Sequence, residues 1–374
     1  MTPVRLPPNA RVLVVVLRRL GDVLLTTPLI RSLKEAYPQA SIDALVFAGT
    51  EGILTGNPDI RDVIALPQRP RLSETLLAVM RLFRRYDLAV SVQTGDRPIA
   101  LAVIAGRQSA GPVEPGRASS ALKRFVLSRA CTNDRRRHRV DNVLSLADLL
   151  GIRRHAEIVC PAGVVRPELV PARPYAVVHA APMFVYKRWT GEAWRALAAA
   201  LAERGLAIAV TGAAIDRSYL DDIWRTGDSG PDILRRDGKL TWPELSALIA
   251  GARVYIGPDT AITHLAAATA TPTVALYGPT DPRLWGPWPF GGVDRPWDAA
   301  GTIQRRRNVW LVQNPLPCMP CQLEGCERRL DSHSQCLDEL TVTRVLSAVD
   351  QALEHDPQKW TPGFVKDAAQ ATTN

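Results

Sequence analysis

Two stretches of the sequence carry residue types suited to group transfer, and the first surrounds Asp22. In LRRLGDVLLTTP this aspartate follows Gly21 directly, where an apolar run ends and a helical pattern starts. An ordinary aspartate has a pKa of about 3.9, so it is ionised at neutral pH and can take a proton from an attacking hydroxyl group. The alternative is that Asp22 only caps the helix, which is worth about 1 kcal/mol.

The second stretch, GPDTAITH, predicts an anion site. We expect Asp259 to cap the helix that follows, whose first amides and dipole attract negative charge, with the Thr260 hydroxyl as a further donor. His264 falls in the first turn, where it can face a ligand or simply pack. Lys187, in a predicted loop, can add a full positive charge, although a loop lysine is often only solvated.

Strands that alternate with helices must position these residues. In the first half we predict strands at 11–17, 41–47, 62–66 and 87–93, with helices at 22–36, 73–86 and 140–150. In the second half we predict strands at 175–179, 207–211, 253–256 and 273–277, with helices at 191–204, 216–225, 242–250 and 261–270. This order predicts two parallel-sheet α/β domains, whose ligands bind beyond the carboxyl ends of the strands.

The charge of the chain is uneven. Residues 1–174 contain 26 Lys and Arg against 15 Asp and Glu, or +11, whereas residues 175–374 contain 20 against 22, or −2. Such a field attracts nucleic acid, an anionic membrane or an acidic substrate, and the alternative is a solubilising surface. No nucleic-acid-binding module is recognisable. Without a secretory signal or an apolar run of about 18 residues, we expect a cytoplasmic protein.

Two motifs together give a resemblance to a known family. The segments RRLGDVLLTTPLIRSLKEAYP and GPDTAITHLAAATATPTVALYGPTDP, with Lys-Arg-Trp at 187–189, resemble glycosyltransferase family 9, which includes the ADP-heptose:lipopolysaccharide heptosyltransferases. The resemblance implies a GT-B fold of two Rossmann-like domains facing a central cleft. Residues 1–170 would bind the acceptor and residues 171–340 the nucleotide-sugar. A C-terminal helix within 341–374 would return toward the first domain.

The resemblance also implies inverting transfer of a heptose from ADP-heptose to an inner-core hydroxyl group, without a catalytic metal. Asp22 would be the general base. The donor site would contain Lys187, Asp216, Asp259, Thr260, Ala261 and His264. Asp216 would bind the nucleoside, because a carboxylate there can accept from ribose hydroxyls, unless it only caps a helix.

The sequence departs from the family pattern at two places. Ala261 stands where the family has glycine, and HAAPMFVYKRW lacks hydroxyl residues that some relatives carry before the lysine. Two alternatives therefore stay open. The first is transfer that uses another nucleotide-sugar or a protein or small-molecule hydroxyl group. The second is a catalytically silent protein that binds sugar nucleotides.

An inner-core acceptor is an anionic glycolipid, which suits the basic first half. In apparent loops, the candidate acceptor residues are Lys123, Arg124, Arg135, Arg136 and Arg137. The helix in LSETLLAVMRLFRRYD combines apolar residues with arginines and is a candidate for peripheral contact with the inner membrane. The alternative is that this helix packs on the sheet.

Four of the six cysteines form a cluster. Cys318, Cys321, Cys326 and Cys336 lie within 19 residues and begin with Cys-x-x-Cys. Four thiolates suit a closed, tetrahedral structural site for Zn or Fe, which would staple an irregular loop. Free thiols are the main alternative, and disulfides are disfavoured in a reducing cytosol.

Overall fold

A computed structural model describes residues 3–224 and 233–354. The first sheet contains β1 (Arg11–Val16), β2 (Ser41–Phe47), β3 (Asp62–Leu66), β4 (Tyr86–Ser91), β5 (Gly106–Val113) and β6 (Arg129–Thr132). All pairings are parallel, in the order β3-β2-β1-β4-β5-β6. The central β1, RVLVVV, is apolar on both faces, as a strand covered by helices on each side must be.

Helices cover both faces of this sheet. They are α1 (Leu20–Leu24), α2 (Thr27–Ala36), α3 (Leu72–Leu82), α4 (Asp96–Ala105), α5 (Ser119–Val126) and α6 (Arg139–Leu150). The predicted helix over 22–36 is therefore two helices, with Pro28 in the first turn of α2, where its missing N–H costs nothing. Helices α2 and α6 pack together on one face, whereas Leu82 of α3 and Leu101 of α4 share a cluster on the other.

The second sheet belongs to the second half of the chain. It contains β7 (Tyr175–His179), β8 (Ala207–Thr211), β9 (Ile233–Arg235), β10 (Val254–Pro258), β11 (Thr273–Leu276), β12 (Ile303–Arg306) and β13 (Val309–Val312). Its order is β12-β13-β11-β10-β7-β8-β9, with only β12 antiparallel among these strands. The two predicted parallel-sheet α/β domains are confirmed.

The helices of this half include the predicted C-terminal one. They are α7 (Gly191–Glu203), α8 (Arg217–Ile223), α9 (Trp242–Ala250), α10 (Ala261–Ala268), α11 (Pro282–Trp285), α12 (Gln335–Asp338) and α13 (Val342–Glu354). The prediction that the last helix packs toward the first domain is wrong for Val342–Glu354. Its apolar stripe, which includes Val345, Ala348 and Val349, is buried on β10, β11 and β13 of the second sheet. Residues 355–374, and Arg225 at the end of the predicted helix over 216–225, lie outside the described residues.

The two halves meet through a continuous apolar cluster that contains residues of both. Polar contacts join them as well. The Trp288 Nε1 donates to the Ala156 carbonyl at 2.7 Å, and the His138 Nε2 lies 2.8 Å from the Gly286 carbonyl oxygen. Helix α1, after β1, contacts helix α10, after β10. The carboxyl ends of both sheets therefore face each other. We keep 1–170 and 171–340 as proposed domain boundaries, since they separate the two sheets.

None of the helices in the described ranges is both long enough and apolar enough to cross a membrane.

Candidate active site

A large cleft of about 1490 Å³ lies between the facing edges of the two sheets. The first domain lines it with the turn from Arg18 to Asp22, directly after β1. The second domain lines it with the loops after β7, β8 and β10, and these include the predicted residues Lys187, Asp216, Asp259, Thr260, Ala261 and His264. Asp22 and all six predicted donor-site residues therefore lie in one cleft.

Asp22 is the third residue of α1, whose N-cap position is occupied by Arg19. The alternative that Asp22 caps this helix is therefore wrong, and its carboxylate is available to the cleft. The side chain is buried, and Arg139 at the start of α6 lies beside it, with 3.2 Å between the Arg139 Nε and the Asp22 Oδ1. The N–H is not aligned with this oxygen, so the contact is an ion pair rather than a hydrogen bond. Arg139, which the sequence analysis missed, holds the carboxylate from one side.

His264 is the fourth residue of α10, at the end of its first turn, and is buried at the cleft wall. Its Nδ1 makes no hydrogen bond with any described residue. Burial lowers the pKa of His264 to about 4, against the opposing effects of Asp259 and Asp22. The imidazole is therefore neutral at neutral pH, with one nitrogen to donate and one to accept. A buried polar atom without a partner at a cleft wall suits a ligand better than packing alone.

Lys187 pairs with Asp259 through a short contact between its Nζ and the Asp259 Oδ2. The Thr280 hydroxyl donates to the same oxygen at 2.6 Å. Burial raises the pKa of Asp259, but the ammonium of Lys187 and these two hydrogen bonds outweigh it, so the pKa is lowered. Asp259 is therefore an anion that holds Lys187 in place. The prediction that Asp259 caps α10 is wrong, because the cap is the Thr260 hydroxyl, which accepts from the Thr263 amide at 3.4 Å.

The start of α10 closely approaches the start of α1. A Cβ placed on Gly21 would lie 3.6 Å from the Ala261 Cβ, which is ordinary van der Waals contact. The first amides of α10, at Ala261 and Ile262, have no intrahelical acceptor and lie at this junction. Ala261 therefore packs its methyl group toward the other domain, at the junction where both domains reach the cleft.

Asp216 lies at the far end of the cleft, just before α8. Its Oδ2 accepts from the Ala213 amide at 2.8 Å. Burial raises the pKa of Asp216, whereas the Ala213 hydrogen bond and Arg188 lower it. Arg188 stacks 3.9 Å from the centre of the Tyr219 ring, and its buried Nε has no hydrogen-bond partner among the described residues. No local pattern in the sequence indicates this Arg188–Tyr219 pair.

The five predicted acceptor residues lie elsewhere. Lys123 and Arg124 belong to α5 and not to a loop, because residues 119–126 close a helical turn before β6. Lys123 pairs with Asp96 at 2.6 Å, and Arg135 with Glu114 at 2.8 Å. The residues lining the cleft do not include Lys123, Arg124, Arg135, Arg136 or Arg137. Their role with an acceptor stays a prediction, whereas the cations of the first domain that line the cleft are Arg18 and Arg19.

The four clustered cysteines are free thiols in the structure. Burial, followed by the neighbouring Cys321, Cys326 and Cys318, raises the pKa of Cys336 to about 12. In 3–224 and 233–354, no group of three or more His, Cys, Asp or Glu side chains is placed to hold an ion. The four thiols therefore lie close enough to influence the pKa of Cys336, but they are not arranged as the ligands of an ion. Their segment supports the cleft, because the Ser334 hydroxyl donates to the Tyr186 carbonyl at 2.7 Å, next to Lys187.

Burial makes the fold sensitive to acid. The pKa values of His138, His179 and His264 are each lowered to about 4, mainly by burial, from an ordinary 6.5. The unfolded chain therefore binds more protons below about pH 6.5, and stability is lost as the pH falls from there toward 4. Each of these histidines lowers the free energy of unfolding by at most roughly 3 kcal/mol when the pH falls from 6.5 to 4.

We expect the urea concentration at the unfolding midpoint to decrease as the pH is lowered from 7.5 to 5. The variant His264→Gln should make this pH dependence less steep. The exposed His333, as His333→Gln, is the matched control and should leave the slope unchanged. Equal slopes in wild type and His264→Gln would show that His264 is not held neutral by burial.

Comparison with known proteins gives a consistent result. Residues 81–290 match the sequence model of glycosyltransferase family 9 (heptosyltransferase). Lipopolysaccharide heptosyltransferase 3 of Escherichia coli K12 is 28% identical over 355 residues, which is 90% of this chain and 96% of that protein. A second Escherichia coli lipopolysaccharide heptosyltransferase 3 is 31% identical over 305 residues, or 72% of this chain and 83% of that protein.

A solved structure has the same fold. The structure of the Escherichia coli heptosyltransferase WaaC with ADP superposes with a TM-score of 0.69 at 21% identity, covering 91% of this chain and 99% of that one.

Proposed function

The chain belongs to glycosyltransferase family 9 and has the GT-B fold, and we propose that it moves a heptose from ADP-heptose to a hydroxyl group of the lipopolysaccharide inner core. The observation that carries this proposal is the placement of Asp22, from the first domain, in the same cleft as Lys187 and His264 of the second. One sugar ring between the two domains would meet a carboxylate on one side and a cation with helix amides on the other.

The proposed chemistry is a direct displacement. The acceptor hydroxyl oxygen attacks the anomeric carbon as the bond from that carbon to the β-phosphate oxygen breaks, which inverts the configuration. Asp22 takes the proton of the attacking hydroxyl, and ADP leaves with the electron pair of the broken bond. Arg139 keeps the Asp22 carboxylate on the acceptor side by its ion pair.

The second domain would stabilise the charge that develops on the leaving diphosphate. Lys187 brings a positive charge that Asp259 and Thr280 hold in place before any ligand arrives. The amides that begin α10 add directed donors. The neutral His264 has one ring N–H, which can donate a hydrogen bond to a phosphate or sugar oxygen. No step requires a metal ion.

The nucleoside would bind at the far end of the cleft. Asp216 would accept hydrogen bonds from ribose hydroxyls, as acidic residues do in related nucleotide-binding folds. The adenine of the donor is a flat ring, and Arg188, which lines the cleft and lies over the Tyr219 ring, would stack on it. The relative solved with ADP supports an adenine nucleotide as donor.

The proposed acceptor is an anionic glycolipid, and Arg18 and Arg19 offer cations on the acceptor side of the cleft. Arg19 stacks on Phe184 of the second domain at 4.7 Å, so it reaches across the opening. An acceptor of this kind would place the enzyme at the inner face of the cytoplasmic membrane. The experiment that tests the proposal is a panel of nucleotide-sugars with truncated lipopolysaccharide acceptors, monitored for release of nucleoside diphosphate.

We expect release from ADP-heptose that depends on an inner-core acceptor. Release with another nucleotide-sugar, or only with a protein or small-molecule acceptor, would favour the first alternative. Tight ADP-heptose binding without any release would indicate a catalytically silent binding protein. The reason to test this alternative is Ala261, which stands where the family has glycine.

We propose that the four clustered cysteines hold a structural Zn or Fe ion, which would have to draw the thiols together. The donor set fits such an ion, because four thiolates are its usual ligands in a closed site. We expect metal analysis of protein purified without chelator to find about one equivalent. Cys318→Ser should lower the metal content and Cys131→Ser, outside the cluster, should not. Far less than one equivalent in the wild type would decide for free thiols.

A further inference from the structure

Helices α3 and α5 carry apolar side chains that no part of the described chain covers. On α3, Leu72 is 91% exposed, and Leu76, Met80 and Phe83 continue the same stripe at helical spacing. Within α3 itself only Leu82 is buried. On α5, Phe125 is 87% exposed, with Leu122 and Val126 beside it. The alternative that α3 simply packs on the sheet is therefore wrong for most of its apolar residues.

Both helices lie on the same face of the first sheet. The connections β3 to β4, β4 to β5 and β5 to β6 all run toward the β6 edge, so right-handed crossovers place α3, α4 and α5 on one face. The contacts agree, because Leu82 of α3 clusters with Leu101 of α4, and Leu127 after α5 clusters with Ile99 of α4. The exposed residues of α3 and α5 thus flank α4 on a single surface, which we call the α3–α5 face.

The α3–α5 face is strongly basic as well as apolar. In segments 69–85 and 117–126 the cations are Arg69, Arg71, Arg81, Arg84, Arg85, Arg117, Arg124 and Lys123, of which Lys123 pairs with Asp96 of α4. The one acidic residue of these two segments is Glu74. The Glu74 carboxylate caps the start of α3, because its Oε2 accepts a hydrogen bond from the Arg71 amide at 2.6 Å. Arg81, Arg84 and Arg85 are exposed. Exposed leucine, methionine and phenylalanine between arginines are typical of surfaces that lie in a lipid interface.

We propose that the α3–α5 face docks on an anionic phospholipid surface, with its apolar side chains among the acyl chains and its arginines at the headgroups. A second copy of the chain fits less well, because a symmetric contact would bring the same excess of cations together. Nucleic acid would bind the arginines through its phosphates but would not cover the apolar stripe from Leu72 to Phe83. Lipid is the occupant that uses both properties.

The α3–α5 face adjoins the cleft. Gln68, which lines the cleft, lies just before α3, and the Arg97 guanidinium of α4 donates to the Gln68 carbonyl at 2.9 Å. Docking through this face would therefore bring the acceptor side of the cleft close to the membrane surface. The proposal concerns residues outside the cleft and holds whether or not the protein transfers a heptose.

Sedimentation with vesicles tests this proposal on the full chain. We expect binding to vesicles of phosphatidylcholine with 30% phosphatidylglycerol, little binding to pure phosphatidylcholine, and weaker binding at high salt. The variant Leu76→Ser/Met80→Ser should bind about tenfold more weakly. The variant Arg81→Gln/Arg85→Gln should bind about 30-fold more weakly, since each arginine near an anionic surface contributes about 1 kcal/mol.

Matched controls use exposed residues elsewhere. Val164→Ser, at a site that is 93% exposed, and Arg153→Gln should bind as the wild type does. All of these positions are exposed, so melting temperatures should stay within a few degrees of each other. Transfer to a water-soluble acceptor should be unchanged in Leu76→Ser/Met80→Ser, which separates lipid docking from the chemistry of the cleft. Equal binding by the α3 variants and the controls would overturn the proposal, as would a wild-type dimer that the α3 variants abolish.

Discussion

Asp22→Asn is expected to lower turnover by about 10² to 10⁴ while ADP binds nearly as tightly as to the wild type. The amide keeps the size of the side chain but cannot take the proton of the attacking hydroxyl, and a positioned base contributes about 10² to 10⁴ to rate. The ion pair with Arg139 is lost at the same time, so the base and its positioning contact disappear together. The measurement is acceptor-dependent ADP release under saturating substrates, with ADP affinity from calorimetry.

Asp62→Asn, an exposed position on β3 and outside the cleft, is the matched control and should retain full activity. Removal of a buried charge beside Arg139 also affects folding, so thermal unfolding of Asp22→Asn must be recorded. A folded variant with a substantial fraction of wild-type turnover would exclude Asp22 as the base.

Lys187→Met is expected to lower kcat/KM by about 10² to 10³, with weaker ADP binding as well. Methionine keeps the length of the stem but removes the charge that would face the leaving diphosphate, and the loss of one such preorganised group commonly costs this much. ADP carries the same charge after the bond has broken, so ground-state binding should fall together with rate. Steady-state kinetics and ADP titration measure the two effects separately.

The partner of Lys187 allows a further test. In Lys187→Met the buried Asp259 loses its ammonium, so this variant is expected to be less stable. The double variant Lys187→Met/Asp259→Asn removes both charges and should recover stability without recovering activity. Lys34→Met on α2, outside the cleft, is the matched control. Recovery of activity in the double variant would mean that Lys187 acts only by neutralising Asp259.

Sequence patterns with a strong local cause were sufficient to predict much of the fold. Strands such as RVLVVV and YAVVH are short apolar runs that end at a turn, and the structure has them within one or two residues of the predicted bounds. The segment between residues 94 and 139 shows the limit. Strand β5, GRQSAGPV, contains Gly, Pro and polar residues typical of a loop, and it is a strand because β4 and β6 pair with it on both sides.

The candidate site was predictable where a motif carries its own local geometry. Asp22 and His264 each lie near the start of the helix that follows a strand, so their place at the carboxyl ends of two sheets could be inferred. Contacts between distant residues could not be inferred. The pair Lys187 with Asp259 and the pair Arg139 with Asp22 join segments that only the folded chain brings together. Asp259 consequently has a different role, as the anchor of Lys187 and not as the cap of α10.

The basic residues of the first domain illustrate the same limit. Arg135 and Lys123 look like free cations in the sequence, but each has a carboxylate partner in the fold, Glu114 and Asp96. The arginines in and just after α3 that have no carboxylate partner in the described part of the chain, and the apolar stripe beside them, became visible only once the face of the sheet was known.

The anomeric configuration of the product tests the central claim most directly, namely that a carboxylate on one domain and a cationic pocket on the other act on a single bond. The wild-type protein would be incubated with ADP-heptose and a heptose-free inner-core acceptor, and the new glycosidic bond examined by NMR. We expect one added heptose with a configuration opposite to that of the donor. A product that retains the donor configuration would contradict the account, and so would ADP release without any new glycosidic bond.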